Sequence, residues 1–365
     1  AATDHTIHVP EGYNWKPLAK WGQPLFSNIP DLDPAKGVNV ENSDKVFGEN
    51  TDGMELFVVG NHQLIAVNHE YVNPETNLPH TDKGNPKTAD DVKILQNMQG
   101  VTVMEVAEDK DGWKIVLDSP FNRRIHHNTP MKLSGPAAGS DLVKTAADPD
   151  GVDCLGTFNN CGAGRTPWGT YLTCEENFNG YFGTTDAAFK LPDDYKRYGI
   201  VAETRYAYEK FDERFDVAKN PNEPRRAGYV VEIDPSDAKS TPIKRTALGR
   251  IKHENAAVVI ARDGRVVVYM GDDERGEFLY KFVSNGIYVP GGDTSKLLDE
   301  GTLFVAKFSD DGAGEWLALT PETTGMKIDE ICVFTRQAAS KVGATTMDRP
   351  EWVAINPVAI EAYCA

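Results

Sequence analysis

The feature that most constrains this chain is a succession of short alternating or β-branched runs punctuated by turn residues. Residues 54–59, 63–68, 101–106 and 113–117 form a first set. Runs 228–233, 243–247, 256–261, 266–270, 278–283, 303–308 and 316–319 follow. A side-chain period of two, broken by Asp-Gly and similar turns, is the pattern of half-buried strands. The turn Asp109-Lys110-Asp111-Gly112 joins two of them into a hairpin. Such spacing predicts an all-β fold of blades or stacked sheets rather than alternating strands and helices. No fixed-period repeat is visible, so blades cannot be counted. At 365 residues the chain can bury a large core, and it is read as a single domain over 1–365. Two segments break the pattern: 88–99 reads as a short helix, and 328–342 as an amphipathic one that carries Cys332 on its buried stripe and stops at Gly343. Residues 183–226, charged and rich in tyrosine, read as a long insertion over the sheet, a lid.

Charge excludes one class of function. With 55 acidic and 38 basic side chains the formal net charge is −17, the opposite of what a nucleic-acid surface requires. No apolar run approaches the roughly 18 residues of a membrane span. The opening AATDHTIHVPEGY looks like a mature end left by cleavage after small residues, and predicts export. Five cysteines, Cys154, Cys161, Cys174, Cys332 and Cys364, cannot all pair with one another, so an exported chain keeps at least one free or as a ligand. The closing EWVAINPVAIEAYCA reads as strand, turn and new strand with no polar tail, and predicts a chain that is a fragment.

Chemistry concentrates in 153–182, DCLGTFNNCGAGRTPWGTYLTCEENFNGYF. A soft thiol and hard carboxylate and amide oxygens share one short polar stretch there, which points to a mixed metal site. Cys161, in a polar glycine-flanked loop, is the favoured ligand. Cys174 ends a strand, where a buried inert thiol is the common outcome. A Cys161–Cys174 or Cys154–Cys161 disulfide is the competing reading. Glu70 and Glu254 each follow a histidine beside a strand. Adjacent strand residues face opposite ways, so only one member of each His-Glu pair can look into a shared site. Asp272-Asp273-Glu274 reads equally as a calcium cluster or a solvated turn. Arg349 and Glu351, stiffened by Pro350, suit an anion site with a neighbouring metal, or a plain surface ion pair. The HExxH, paired CxxC, Gly-x-Ser-x-Gly, P-loop and dinucleotide fingerprints are absent, and Ser134 reads as part of a tight turn.

Taken together, Asn-His-Glu-Tyr at 68–71, Asn-Thr-Pro-Met with Ser-Gly-Pro-Ala-Ala-Gly, Asn-Asn-Cys with Thr-Pro-Trp-Gly-Thr-Tyr-Leu-Thr-Cys-Glu-Glu-Asn, Tyr-Met-Gly-Asp-Asp-Glu-Arg and Met-Asp-Arg-Pro-Glu-Trp resemble the PhoX family of bacterial alkaline phosphatases. The likeness runs in consistent order from about residue 54 to the end. It implies a six-bladed β-propeller and hydrolysis of phosphate esters. The implied cofactors are two ferric irons (Fe3+) bridged by an oxo group and three calcium ions (Ca2+). It also implies export through the twin-arginine route to the periplasm or beyond. By the same resemblance Cys161 and Glu254 are iron ligands, Glu351 binds metal and Arg349 grips the phosphoryl group. Glu70, Asp273 and Glu274 join the metal cluster on residue chemistry and motif position. The family continues well past residue 364, with further blades and at least one more acidic iron ligand, so C-terminal blades are expected to be missing. Ile125-His126-His127 departs from the family's usual pattern and is assigned nothing. Phosphate esters are the expected partners, and a monomer the expected state. The competing functions are a calcium-only propeller hydrolase of lactonase or phytase type, which has no need of Cys161, and a secreted binding propeller stapled by calcium.

Overall fold

The computed structural model describes residues 6–359 and 361–365, so the part of the export reading that rests on residues 1–5 lies outside the described residues. The fold is mostly β, with few and short helices. The first sheet is a meander of β1 (Thr51–Val59), β2 (His62–His69), β3 (Gly100–Asp109) and β4 (Gly112–Ile115), with β5 (Arg123–Ile125) also on β3. Its tight turns follow from sequence. Val59 pairs with His62 across Gly60-Asn61, where Gly60 takes φ +60°, and Asp109 pairs with Gly112 as expected.

The second sheet holds β6 (Pro130–Ser134), β7 (Asp153–Leu155), β8 (Asn160–Arg165), β9 (Tyr171–Glu175), β10 (Val230–Ile233) and β11 (Ile243–Arg245), ordered β7-β6-β11-β10-β9-β8. It is antiparallel except where β11 lies parallel to β6. β12 (Ala257–Ile260) and β13 (Arg265–Gly271) begin the third sheet. After β14 (Arg275–Glu277), it continues through β15 (Leu279–Ile287), β16 (Gly301–Phe308) and β17 (Gly314–Ala318) in order β12-β13-β15-β16-β17. Two small pairs close the described chain: β14 with β18 (Met347–Asp348), and β19 (Val353–Ile355) with β20 (Ala362–Cys364).

Two elements differ from expectation. The stretch read as one helix over 328–342 is two, Ile328–Val333 and Thr335–Lys341, broken at Phe334 (φ −112°, ψ 46°). Thr335 Oγ1 donates to the carbonyls of Ile331 and Cys332, and the redirected second helix delivers the buried Arg336 to Asp272, Nη2 to Oδ1 2.6 Å. The segment 183–226 is more than a surface loop. Its Tyr195, Tyr198, Tyr206, Tyr208 and Phe215 are buried in a core shared with Phe178, Tyr181 and the helix Ala89–Asn97. That helix matches the predicted one, and Thr88 and Asp91 form its capping box. All five cysteines are free thiols, which removes both disulfide alternatives, and Cys332 is buried in the core as its stripe predicted.

Candidate metal centre

The ends of three sheets meet at one place, and local irregularity aims the side chains there. One extra residue on β1, between Thr51 and Met54, makes a β-bulge at Asp52-Gly53. A second bulge, between Asn160 and Ala163 on β8, carries Cys161-Gly162. Bulges bend a strand and re-aim its side chains. The two pack on each other so tightly that a Cβ on Gly53 would stand 2.7 Å from Ala163 N, and one on Gly162 would meet the Glu254 carbonyl at 1.9 Å.

Each bulge leaves backbone groups off the ladder. Asn68, fully buried at the end of β2, satisfies those of Cys161 and Gly162. Its Nδ2 donates to both carbonyls (2.7 and 2.8 Å), and its Oδ1 accepts from Tyr171 and Thr173 hydroxyls (both 2.8 Å). Backbone bonds tie the remaining ends together: His253 N to Glu175 O (3.0 Å), Glu254 N to Gly271 O (3.3 Å) and Glu176 N to Asn159 O (3.0 Å).

The result is a cluster of one thiol and several carboxylates. Ligand atoms of Asp52, Glu70 and Cys161 lie within 4.8 Å of one another, and so do those of Cys161, Glu176 and Glu254. The Cys161 thiol donates to Glu254 Oε2 at 3.1 Å. Among the described residues no lysine or arginine forms an ion pair with Asp52, Glu70, Glu176 or Glu254. Burial pushes Glu70 up to about 7, helped by repulsion from Asp52 and Glu254. Burial likewise raises Glu254 to about 7 against the bond from Cys161, with Asp273 and Glu351 adding repulsion. Glu176 and Asp52 are raised by burial too, and burial beside Glu176, Glu254 and Asp52 holds the Cys161 thiol far above its ordinary range. Multivalent cations would offset the charge that these crowded groups resist.

At the rim, Arg349 takes a left-handed conformation (φ +63°) and forks onto Asp273, Nε to Oδ1 2.8 Å and Nη2 to Oδ2 2.7 Å, with Glu351 Oε1 3.2 Å away. Asp273 adds to the raising of Glu176, after burial and repulsion from Glu254 and Glu70. The segment bearing Arg349 and Glu351, between β18 and β19, is anchored by Asn255, which exchanges two bonds with the Val353 backbone.

A protein at 48% identity superimposes on this architecture with a TM-score of 0.95: Pseudomonas fluorescens PhoX in complex with vanadate, a transition state analogue. The match covers 100% of this chain and 66% of that one, so the chain spans just under two thirds of its length. Residues 1–365 also match the family described as Alkaline phosphatase PhoX. The chain belongs to the PhoX family. No protein of curated function matches it.

Of the expected site residues of this PhoX-family chain, Cys161, Glu70 and Glu254 stand together, with Asp273, Arg349 and Glu351 beside them. Glu274 does not join them; its carboxylate pairs with Lys252 Nζ at 2.6 Å. The acids of Asp272-Asp273-Glu274 pair separately, with Arg336, Arg349 and Lys252. The facing argument for the His-Glu pairs holds. His69 is buried between the Glu49 carbonyl and Thr102, and His253 contacts the Gly249 carbonyl, while their glutamates enter the cluster. Asp52 and Glu176 were missed. Asp52-Gly53 beside a strand and the doubled Glu175-Glu176 were the available signals, but a bulge shifts facing by one residue and sequence does not mark it.

Proposed function

We propose that this chain is the metal-binding portion of an alkaline phosphatase that hydrolyses phosphate monoesters and releases inorganic phosphate. The observation that carries the reading is the buried thiol among carboxylates that lack basic partners. The donor set suits a mixed cofactor. A thiolate is matched to ferric iron, and the surrounding carboxylates to iron and calcium, in keeping with two oxo-bridged irons and three calcium ions. Cys161 and Glu254 are placed as iron ligands, and Glu70, Glu351, Asp52 and Glu176 as further metal ligands. Bound cations would neutralise the charge that phosphoryl transfer develops on the phosphoryl oxygens. Asp273 would then hold Arg349 in place rather than bind metal. Arg349, half exposed and fixed by two carboxylates, presents its remaining N–H groups to the phosphoryl group as a preset positive charge. The bulges and Asn68 hold the cluster before substrate arrives, so binding does not have to organise it.

A six-bladed propeller accounts for the sheet edges. β1 is an edge strand, yet Met54, Leu56 and Val58 on its outward face are 52, 58 and 74% exposed, a surface that a neighbouring blade would cover. We also place the protein in the periplasm or outside the cell, exported by the twin-arginine route and monomeric, with 183–226 as an insertion bordering the site. Among the described residues no helix is long and apolar enough to cross a membrane. A calcium-only hydrolase would have no use for the buried Cys161.

Metal content, visible absorption and turnover of a chromogenic phosphomonoester, measured on the full-length protein, test the reading. Iron with a thiolate absorption band and phosphatase activity is expected. An iron-free, colourless protein that still hydrolyses the ester would remove the diferric assignment, and a metal-replete protein without turnover would remove the phosphatase.

A further inference from the structure

One cation at the rim is left unmatched. Arg205 is exposed and forms no ion pair among the described residues, although the chain carries a formal charge of −17. Its guanidinium lies 5.6 Å from the centre of the Tyr71 ring and 5.3 Å from that of Tyr206. Contact with ring faces orients a guanidinium and leaves its N–H edge open to an acceptor.

The surrounding structure keeps it there. Tyr71 directly follows Glu70 of the metal cluster. The Tyr206 ring stacks on Tyr181 with centres 5.3 Å apart and planes at 8°. Asn159 Nδ2 donates to both the Tyr181 hydroxyl (3.3 Å) and the Glu70 carbonyl (3.2 Å). Ala207 takes a left-handed conformation (φ +54°) that alanine adopts at a cost. It is pinned by its N–H to Thr204 Oγ1 (3.0 Å), and Thr204 Oγ1 donates to Glu209 (2.7 Å). That kink buries Tyr208 while leaving Arg205 outside. Arg349, by contrast, already has its charge balanced by Asp273 and Glu351.

We propose that Arg205, seated on Tyr71 and Tyr206, forms a leaving-group subsite. It takes substrates whose leaving group bears a second anionic group, above all a second phosphate, while the first phosphoryl group sits at the metal centre. This rests on the phosphatase reading of that centre. The guanidinium fork would accept the distal phosphate through charge-assisted hydrogen bonds, so the subsite sets specificity and takes no part in bond cleavage.

The test compares glucose 1,6-bisphosphate with glucose 6-phosphate as substrates of the metal-loaded, full-length protein. In Arg205→Ala the ratio of kcat/KM for the bisphosphate over the monophosphate should fall about tenfold, through KM, the loss expected for one charge-assisted contact. Arg205→Lys, which keeps the charge without the fork, should fall between the two. A ratio within twofold of wild type, or an equal loss on both substrates with a lowered melting temperature, overturns the subsite. Failure of the wild-type protein to turn over either substrate would remove the phosphatase reading and the subsite with it.

Discussion

Asn68 uses both amide hydrogens and its oxygen on the strands that carry Cys161. Replacement by leucine would strand the Cys161 and Gly162 carbonyls in a dry interior, while the Tyr171 and Thr173 hydroxyls keep Gly53 and Asn160 as partners. Asn68→Leu should cost about 3 kcal/mol, read from denaturant midpoints, and the purified variant should bind less iron than wild type. Arg349 gives the opposite profile. It is half exposed, so Arg349→Ala should barely move the melting temperature, but kcat/KM on a phosphomonoester should drop by roughly 100-fold, because one preset charge on the phosphoryl group is gone. A variant with unimpaired turnover would take Arg349 out of the site.

Neighbouring glutamates show what an element decides. Glu175 and Glu176 differ by one position at the end of β9. Glu176 faces the cluster, whereas Glu175 turns into the sheet. There it accepts from Lys244 Nζ (2.8 Å), Phe158 N (3.1 Å), Gly228 N (2.8 Å) and Tyr229 N (3.0 Å). The Glu175–Lys244 pair is wholly buried and fastens β9 to β11 across β10. Lys244→Met should destabilise the protein by about 3 to 5 kcal/mol, because a carboxylate is left buried without its cation. Glu175→Gln in the same chain should restore part of that loss, and urea denaturation of the single and double variants checks both statements. The strands were legible from sequence because a period of two survives where one face is buried, as along β1, and a continuous apolar run marks a strand buried on both faces, as along β2. The break at Phe334 was not, because the apolar stripe runs through it unchanged and only the pull of Arg336 towards Asp272 requires the turn. The aromatic core under 183–226 has no period to read. Asp52 and Glu176 depended on a bulge and on a strand end, each of which shifts facing by one residue. Cys161, Glu70 and Glu254 were readable because a thiol between glycines, and acids paired with strand histidines, are poor choices for packing alone.

At the scale of the molecule, the crowded acids link stability to pH and metal. Glu70 and Glu254 are raised from an ordinary 4.5 to about 7, so in the metal-free protein their contribution is fully present below about 4.5 and lost as pH rises through 7. Cations reverse this by stabilising the charged forms. The gap in melting temperature between metal-loaded and chelator-treated protein should therefore widen from pH 5 to pH 8, as scanning calorimetry would show. A gap that stays constant or narrows would mean that these carboxylates do not face the cations. The cluster also draws on positions from Asp52 to Glu351, contributed by the first two sheets, the approach to the third and the segment between β18 and β19. During synthesis, no stretch of the chain shorter than those 300 residues contains all of these positions. On the metal-centre reading, loading would be a late event, and a tightly held metal ion would report that the sheets have assembled in register.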